Sequence, residues 1–484
     1  MAELLIHTPT GCKALSFEGT PLLHDLLKQF PDAPSKSCGG TGKCGMCAVV
    51  AKGRFDREAN ADGKILSCQT HVCGNAEVWL PARQTMPHIE TSTIKHSFPI
   101  EPLCGQYGVA VDIGTTTVVL ELLSLSDGKT LSIVSCENPQ RIVAADVIGR
   151  MEGALNGDLD VLCTLIHDCV DRLERKAFET AKLYNCKADH RIIAGNTTML
   201  YLYDGRLPRS LAAAPFDADC LFGMKRGRDL LPACAGAFVG ADIVCAILSS
   251  HMCEKTETSM LIDIGTNGEI ALWHNNQLYC CATAAGPAFE GCGITCGVES
   301  IPGAIDRAHV KNNRIDLTTI ESAPAIGICG SGLIDLVACL LETEQLDESG
   351  LLEETINLAE NVFLTQEDIR QIQLAKGAIS AGIQTLLKHA GLQAENISRL
   401  YIAGGFGSHI ALGSAVKIGL IPAVWSDRAV VLGNASLAGA KQLLLNRSSY
   451  SEVTRIARKA QCLNLASDKF FGDCFIESMF FETI

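Results

Sequence analysis

One tetrapeptide, Asp-Ile-Gly-Thr, occurs twice in the chain, within AVDIGTTTVVLEL at residues 110–122 and within MLIDIGTNGEIALW at residues 260–273. Each copy ends a short apolar run, as a β-strand entering a tight turn does, and leads into a second β-rich run. The interval of about 150 residues is far too long for a solenoid period and suits two halves of one duplicated domain. Two matching halves imply a cleft between them. In each half the strand delivers an aspartate, Asp112 or Asp263, just before a turn of small and hydroxyl residues: Thr115, Thr116 and Thr117 in the first, Thr266, Asn267 and Gly268 in the second. Such turns expose backbone amides and make concavities for phosphate oxygens. Two carboxylates facing one cleft at ~4 Å repel by about 4 kcal/mol at an effective dielectric near 20. They therefore call for a cation, and Mg2+, hard and oxygen-seeking, suits carboxylate and phosphate together. The alternative, an aspartate that merely caps its own turn, accounts for one copy more easily than for two.

A second constraint lies near the N-terminus, in SKSCGGTGKCGMCAVVAKGRFDREANADGKILSC at residues 35–68. Cys38, Cys44 and Cys47 have the spacing C-x5-C-x2-C, and Cys68 follows after twenty intervening residues. Four thiolates suit a [2Fe-2S] cluster, and the intervening glycines let the backbone approach an inorganic core closely. Structural zinc sites usually show two paired C-x2-C knuckles, and only one pair is present. Cys73 competes with Cys68 as fourth ligand; the ILSCQT context, a strand end entering a turn as in the adrenodoxin-type ferredoxins that this loop resembles, favours Cys68. The first gap is one residue longer than the plant-type spacing, and in this the loop resembles adrenodoxin-type ferredoxins. The flanking segments read as a β-hairpin at residues 3–8 and 14–17, a helix in TPLLHDLLKQF and strands in CAVVAKG and AEVWLP. Together they are expected to form the mixed sheet and crossing helix of a β-grasp ferredoxin domain over residues 1–85. Residues 86–106, with three prolines and weak periodicity, read as a linker whose length permits relative motion.

Composition narrows the function. A formal charge of −14 with no basic stripe disfavours a nucleic-acid partner, since phosphate backbones need a concentrated basic surface. The N-terminus MAELLIHTP lacks the features of a secretory signal, and later apolar runs fall short of the ~20 residues that span a bilayer. A cytoplasmic protein without membrane association is expected. In that compartment 23 cysteines read as thiols and metal ligands rather than disulfides. Cys163, Cys169 and Cys339 sit on apolar helical faces as small core residues.

Two further glycine-rich turns follow the repeats: Gly327, Gly330, Ser331 and Gly332 in AIGICGSGLIDL, and Gly404, Gly405 and Gly407 in RLYIAGGFGSHI. Backbone without side chains can lie flat against a purine or ribose. Two small-residue helices, at GAFVGADIVCAILSS with Gly240, Ala241 and Ala246 and at LAKGAISAGIQTLLKHAG with Gly377, Ala378, Ala381 and Gly382, are expected to cross closely and form a hinge between lobes.

The ordered series DIGTTT, AGNTTM, GAD, DIGTNGE, GSG, the second small-residue helix and AGGFGS resembles the actin, sugar kinase and heat-shock chaperone (ASKHA) ATPase superfamily. Joined to an N-terminal [2Fe-2S] domain, it is similar to the ATP-dependent reductive activators of corrinoid proteins. The likeness runs from the cysteine loop to the C-terminal tail. It implies an α/β and α+β multidomain protein: a β-grasp ferredoxin domain, then at 107–484 a duplicated actin/hexokinase-like ATPase with ribonuclease H-like lobes at about 107–250 and 255–484. By the same likeness, Asp112, Thr115, Thr116, Asp263, Thr266 and Asn267 hold Mg2+ and the phosphates of ATP. Gly330, Ser331, Gly404, Gly405 and Phe406 border adenosine. Asn196 and Asp242 are cleft residues, with Asp242 placed to position the attacking water. The implied activity is ATP-dependent one-electron reduction of a corrinoid protein from cobalt(II) to cobalt(I), with a low-potential electron donor behind the cluster. Known members carry a middle domain between ferredoxin and ATPase. Here only about forty residues separate Cys68 from Asp112, so that domain is expected to be absent.

Other readings stay open. A small-molecule kinase with a regulatory cluster domain would use Asp242 as general base. An ATP-driven electron-injecting activator of another metalloenzyme would use Cys292 and Cys296, a C-x3-C pair, as a second metal site shared across a homodimer. The plain reading of that pair is packing or free thiols.

Overall fold

Alternation along the first repeat strand sets the architecture. In the computed structural model, Val109, Val111 and Ile113 of strand Tyr107–Ile113 are fully buried in one core, while Ala110 belongs to another. Side chains alternate across a strand, so Asp112 shares the face of Ala110. The second repeat has the same parity: Met260, Ile262 and Ile264 of strand Ser259–Ile264 enter one core, and Leu261, on the side of Asp263, enters the core that holds Ala110. Each aspartate is thereby turned toward the layer between the two sheets. The structure describes residues 2–8, 11–28, 30, 33–34, 42, 47–60, 63–80, 98–405 and 407–482.

The two large sheets, each six-stranded among the described residues, share one plan. In the first, Tyr107–Ile113, Thr117–Ser124 and Thr130–Glu137 form an antiparallel meander, and His190–Gly195 and then Asp229–Ala233 add in parallel on the other edge. In the second, Ser259–Ile264, Gly268–His274 and Gln277–Thr283 form the meander, and Arg399–Ala403 and Ala429–Gly433 add in parallel. The repeated Asp-Ile-Gly-Thr is the first hairpin corner of each copy. The outer face of the first sheet is covered by helix Leu159–Thr180, and that of the second by helices Gly330–Glu342 and Gln366–Ala390. This is the duplicated ASKHA architecture.

Between the sheets lie helices Ala241–Ser250 and Ala435–Leu445. Here the expected hinge is corrected. The small-residue helix at 240–250 does cross a partner closely, but the main partner is Ala435–Leu445, not Gln366–Ala390. A Cβ on Gly439 would lie 2.1 Å from the carbonyl oxygen of Cys245, so only glycine lets the two backbones approach this far. Helix Gln366–Ala390 uses its glycines differently: Gly382 lies under Thr283 and Ile270, and Gly377 against Ser478 and Met479 near the C-terminus.

The N-terminal unit is a mixed sheet, five-stranded among the described residues, in which Ala2–Thr8 pairs antiparallel with Gly11–Phe17 and parallel with Val72–Trp79, crossed by helix Leu23–Leu27. It is the expected β-grasp. Of the expected linker, residues 86–97 lie outside the described residues. Residues 101–103 are bound to the end of helix Ala435–Leu445: the Glu101 and Leu103 amides donate to the carbonyls of Leu445 and Leu444 at 2.8 and 2.9 Å, and the Arg447 amide donates to the Glu101 carbonyl. Cys169 and Cys339 are buried as expected, whereas Cys163 is half-buried. Among the described residues no helix is long and apolar enough to cross a membrane.

Candidate functional site

The two hairpin corners meet across one cavity of about 280 Å3. Asp112, Thr115, Thr116, Asn196, Asp242, Asp263, Thr266, Asn267, Gly330, Ser331, Gly404 and Gly405 all line it. Of the residues anticipated for the cleft, Phe406 lies outside the described residues. Asn196 caps helix Thr197–Tyr203, accepting from the Met199 amide at 2.9 Å, and its amide nitrogen lies 3.3 Å from the Thr115 hydroxyl. Asp242 occupies the first turn of helix Ala241–Ser250 and accepts from the Ile243 amide at 2.8 Å. Gly404 has φ +92°, and a Cβ there would lie 2.6 Å from Asp263 Oδ1, so a side chain at this turn would push the carboxylate from its place.

The carboxyls are set by burial. Asp242 and Asp263 are both pushed up to about 7, first by desolvation and then by neighbouring acids: Asp112 acts on Asp242, and Asp242 and Asp112 act on Asp263. Asp112 is also raised by burial. The Ser436 hydroxyl and the Asn434 amide, donating at 2.8 and 3.0 Å, partly offset that rise. Glu269, directly across the ladder from Asp263, is held well above the usual carboxylate range by burial and by Asp242 and Asp263. Four acids thus share one floor, and burial together with their mutual repulsion favours the protonated form of each. Among the described residues no three acid, histidine or cysteine side chains are placed to hold a metal by themselves.

Several residues of the site escaped the sequence reading. Glu290 joins the two corners: its carboxylate accepts from the Thr116 hydroxyl at 2.7 Å and the Thr266 hydroxyl at 2.9 Å. Asn434 and Ser436, which hold Asp112, come from the start of helix Ala435–Leu445, more than 300 positions away. Beneath the first corner, Arg150 is fully buried. Its guanidinium donates to the carbonyls of Thr115 at 2.6 Å and Ala144 at 2.9 Å, and burial pushes it down to about 9. His409 and Glu299 complete the rim, with Glu299 raised by burial. The NAS tripeptide at 434–436 is an N-cap signal that could have marked Asn434; Glu290 and Arg150 carry no local signal.

In the N-terminal unit, Cys47 and Cys68 are buried with their sulfurs 3.0 Å apart, close enough for one metal atom to bind both. Gly42 has φ +78°, a backbone conformation that side chains rarely adopt. Cys73 is exposed, with its thiol 3.8 Å from the His71 carbonyl. These residues fit an iron-sulfur loop and favour Cys68 over Cys73; Cys38 and Cys44 lie outside the described residues. The Cys296 thiol is 3.6 Å from the Asn361 carbonyl and 3.5 Å from the Phe363 amide, contacts that hold it against its own chain.

Comparison with known proteins gives three family matches. The 2Fe-2S iron-sulfur cluster binding domain matches residues 2–73, the RACo middle region 107–255, and the C-terminal domain of RACo, the ASKHA domain, 257–484. The second match corrects one expectation: the middle region is not missing but is the stretch that forms the first large sheet. A corrinoid activation enzyme, RamQ, of Eubacterium limosum is 30% identical over 427 residues, 78% of this chain and 71% of that protein. A [Co(II) methylated amine-specific corrinoid protein] reductase of Methanosarcina barkeri is 26% identical over 417 residues, 76% of each. The solved structure of a reductive activator for corrinoid, iron-sulfur protein superposes with a TM-score of 0.73 at 26% identity, covering 99% of this chain and 98% of that one.

Proposed function

Because the chain belongs to the RACo family of reductive activators of corrinoid proteins, we propose that it catalyses ATP-dependent one-electron reduction of a corrinoid protein from cobalt(II) to cobalt(I). The observation that carries this reading is the joining, in one chain, of a paired-thiol loop at Cys47 and Cys68 to a cleft that gathers both repeat aspartates and both glycine-rich turns. Cys38, Cys44, Cys47 and Cys68 would hold a [2Fe-2S] cluster, which when bound stores one electron at low potential. A low-potential donor in the cytoplasm would refill it.

The chain's own residues would grip ATP as follows. Thr115, Thr116, Thr266 and Asn267, with the amides of their corners, would take phosphate oxygens. Gly330, Ser331, Gly404, Gly405 and Phe406 would border adenosine. Asp112 and Asp263 would face Mg2+ through its waters. Asp242, near neutral in pKa, would accept a proton from the attacking water. Glu290 would let go of the two threonines as phosphate arrives, so that lobe closure depends on occupancy. Nucleotide can drive an uphill delivery only by favouring one conformation or complex over another. A potential gap of ~120 mV is about two decades for one electron, within reach of such a bias.

The test is an anaerobic spectral assay of cobalt(II) to cobalt(I) conversion with candidate corrinoid proteins. Conversion that needs both the cluster and Mg-ATP is expected; conversion indifferent to nucleotide would sink the proposal. A kinase would instead yield phosphorylated product from a panel of sugars and carboxylates, and none is expected.

A further inference from the structure

The short helix Leu23–Leu27 of the N-terminal unit sits on the first lobe through His24, which is only 1% exposed. His24 Nε2 lies 2.9 Å from the Ile142 carbonyl oxygen, and Nδ1 lies 3.4 Å from the Ser67 hydroxyl. A carbonyl can only accept, so Nε2 carries the proton and Nδ1 accepts from Ser67. Ser67 is buried and adjoins Cys68. One imidazole therefore ties the turn of a cluster thiol to the other domain. Just beyond the helix, Lys28 Nζ lies 3.2 Å from Asp158 Oδ1, with both side chains about one-third exposed.

The stretch that receives these contacts has a second job. Asn138, directly before the turn Pro139–Ile142, donates its amide to the Thr116 carbonyl at 2.7 Å and its side chain to the Gly114 carbonyl at 2.8 Å. Arg150 donates to the Thr115 carbonyl between them. Three consecutive carbonyls of the first corner are thus held from behind by residues 138–150, and the same stretch presents Ile142 to His24. Asn138, Gln140, Ile142, Ala144 and Arg150 are buried along this stretch, and close packing of that kind passes a displacement at one end toward the other.

From this geometry we infer that residues 138–158 form a shared seat, which couples nucleotide occupancy at the first corner to the redox state of the N-terminal unit, with His24 as the positioning residue. The inference rests on the nucleotide and cluster reading given above. Reduction adds one negative charge beside the Ser67–Cys68 turn, and the Ser67 hydroxyl and His24 ring lead from that turn to the seat. Coupling between binding equilibria is reciprocal: if redox state changes nucleotide affinity, nucleotide changes the midpoint potential by the same factor.

The full-length, cluster-loaded protein, oxidised or dithionite-reduced, is titrated with Mg-ADP by anaerobic calorimetry. In the wild type the affinity differs at least about fivefold between the two states, the low end of allosteric couplings. A tenfold ratio would equal a midpoint shift of ~59 mV on saturation, read independently by an EPR-monitored titration. His24→Leu brings the ratio to about one while the cluster spectrum and nucleotide binding remain. His24→Gln, whose amide can stand in for the Nε2 donor, restores it. An unchanged ratio in His24→Leu, or a wild-type ratio of one, overturns the inference and leaves the assigned activity standing. Nucleotide that binds in neither state overturns both. A zero-length carbodiimide, which joins an amine and a carboxylate in contact with loss of water, yields a Lys28–Asp158 cross-linked peptide from the wild type. Its absence overturns the seat, whatever the stability of the His24 variants.

Discussion

Replacing Asp263 by Asn separates the two demands on the cleft floor. In the folded protein without ligand the Asp263 carboxyl titrates near 7, against 3.8 when exposed, and the rise comes first from burial and then from Asp242 and Asp112. A raised folded pKa means that the contribution of this group is fully present below the unfolded value and is lost as pH climbs through the folded one. A shift of about three units corresponds to about 4 kcal/mol at 1.36 kcal/mol per unit. Asp263 keeps a partly open edge on the cleft, and water there screens its charge, so about half of that is the reasonable expectation. Asparagine keeps the shape and never ionises. The variant should therefore gain about 2 kcal/mol over wild type at pH 8, about 1 kcal/mol at pH 5, and nothing below pH 4. Anaerobic urea unfolding, followed through Trp273 and Trp425 buried in the second lobe, reads this difference. Calorimetry on the same samples should show that Mg-nucleotide binding is weakened. In wild type at pH 7 binding should release protons, because burial and the neighbouring acids hold Asp242 and Asp263 above the usual carboxylate range and a cation drives both to ionise. A variant less stable than wild type at pH 8, or wild-type binding heat that does not change with the ionisation enthalpy of the buffer, would refute the reasoning.

Four further outcomes follow from particular contacts. Glu290→Ala removes two charge-assisted bonds, about 1.5–3 kcal/mol each, that tie the corners together; the nucleotide-free protein should expand in small-angle scattering, and an unchanged profile would count against the bridge. Gly439→Ala forces the hinge helices apart at Cys245 and displaces Asn434 and Ser436 from Asp112; it should cost about 1–3 kcal/mol of stability and lower nucleotide affinity, whereas a silent substitution would show that the crossing can give. Arg150→Met keeps the apolar stem but frees the Thr115 carbonyl, and should weaken nucleotide binding about tenfold, the equivalent of about one strong hydrogen bond. Cys68→Ser should bleach the visible cluster spectrum and leave nucleotide binding intact, while Cys73→Ser should change neither; the reverse result would make Cys73 the ligand.

Where the chain could be read from its letters, the reason is periodicity. Asp112 and Asp263 were legible because a strand alternates, the run before each is apolar, and the same corner is written twice, so parity alone turns both acids toward one layer. Where reading failed, the missing information was which distant surface a local pattern meets. Helices Gln366–Ala390 and Ala435–Leu445 both carry small residues, and either could have crossed the GAD helix; only the packed structure shows Gly439, not Gly377 or Gly382, against Cys245. Glu290 reads as an ordinary glutamate before a glycine, Arg150 as a surface cation, and His24 as a polar residue in an amphipathic turn. Each takes its role from a partner on another element: two threonines about 150 residues apart, the carbonyl of Thr115, and the carbonyl of Ile142. The division has a physical basis. Residues that meet the ligand sit at turns, where backbone geometry restricts the choice of side chain and so leaves a local mark. Residues that make one site sense another are chosen by tertiary contact and leave none. On the proposed reading, in which delivery of an electron depends on a nucleotide, that dependence resides mainly in the residues that the sequence hides, and exchanging them should uncouple the two sites while leaving each intact.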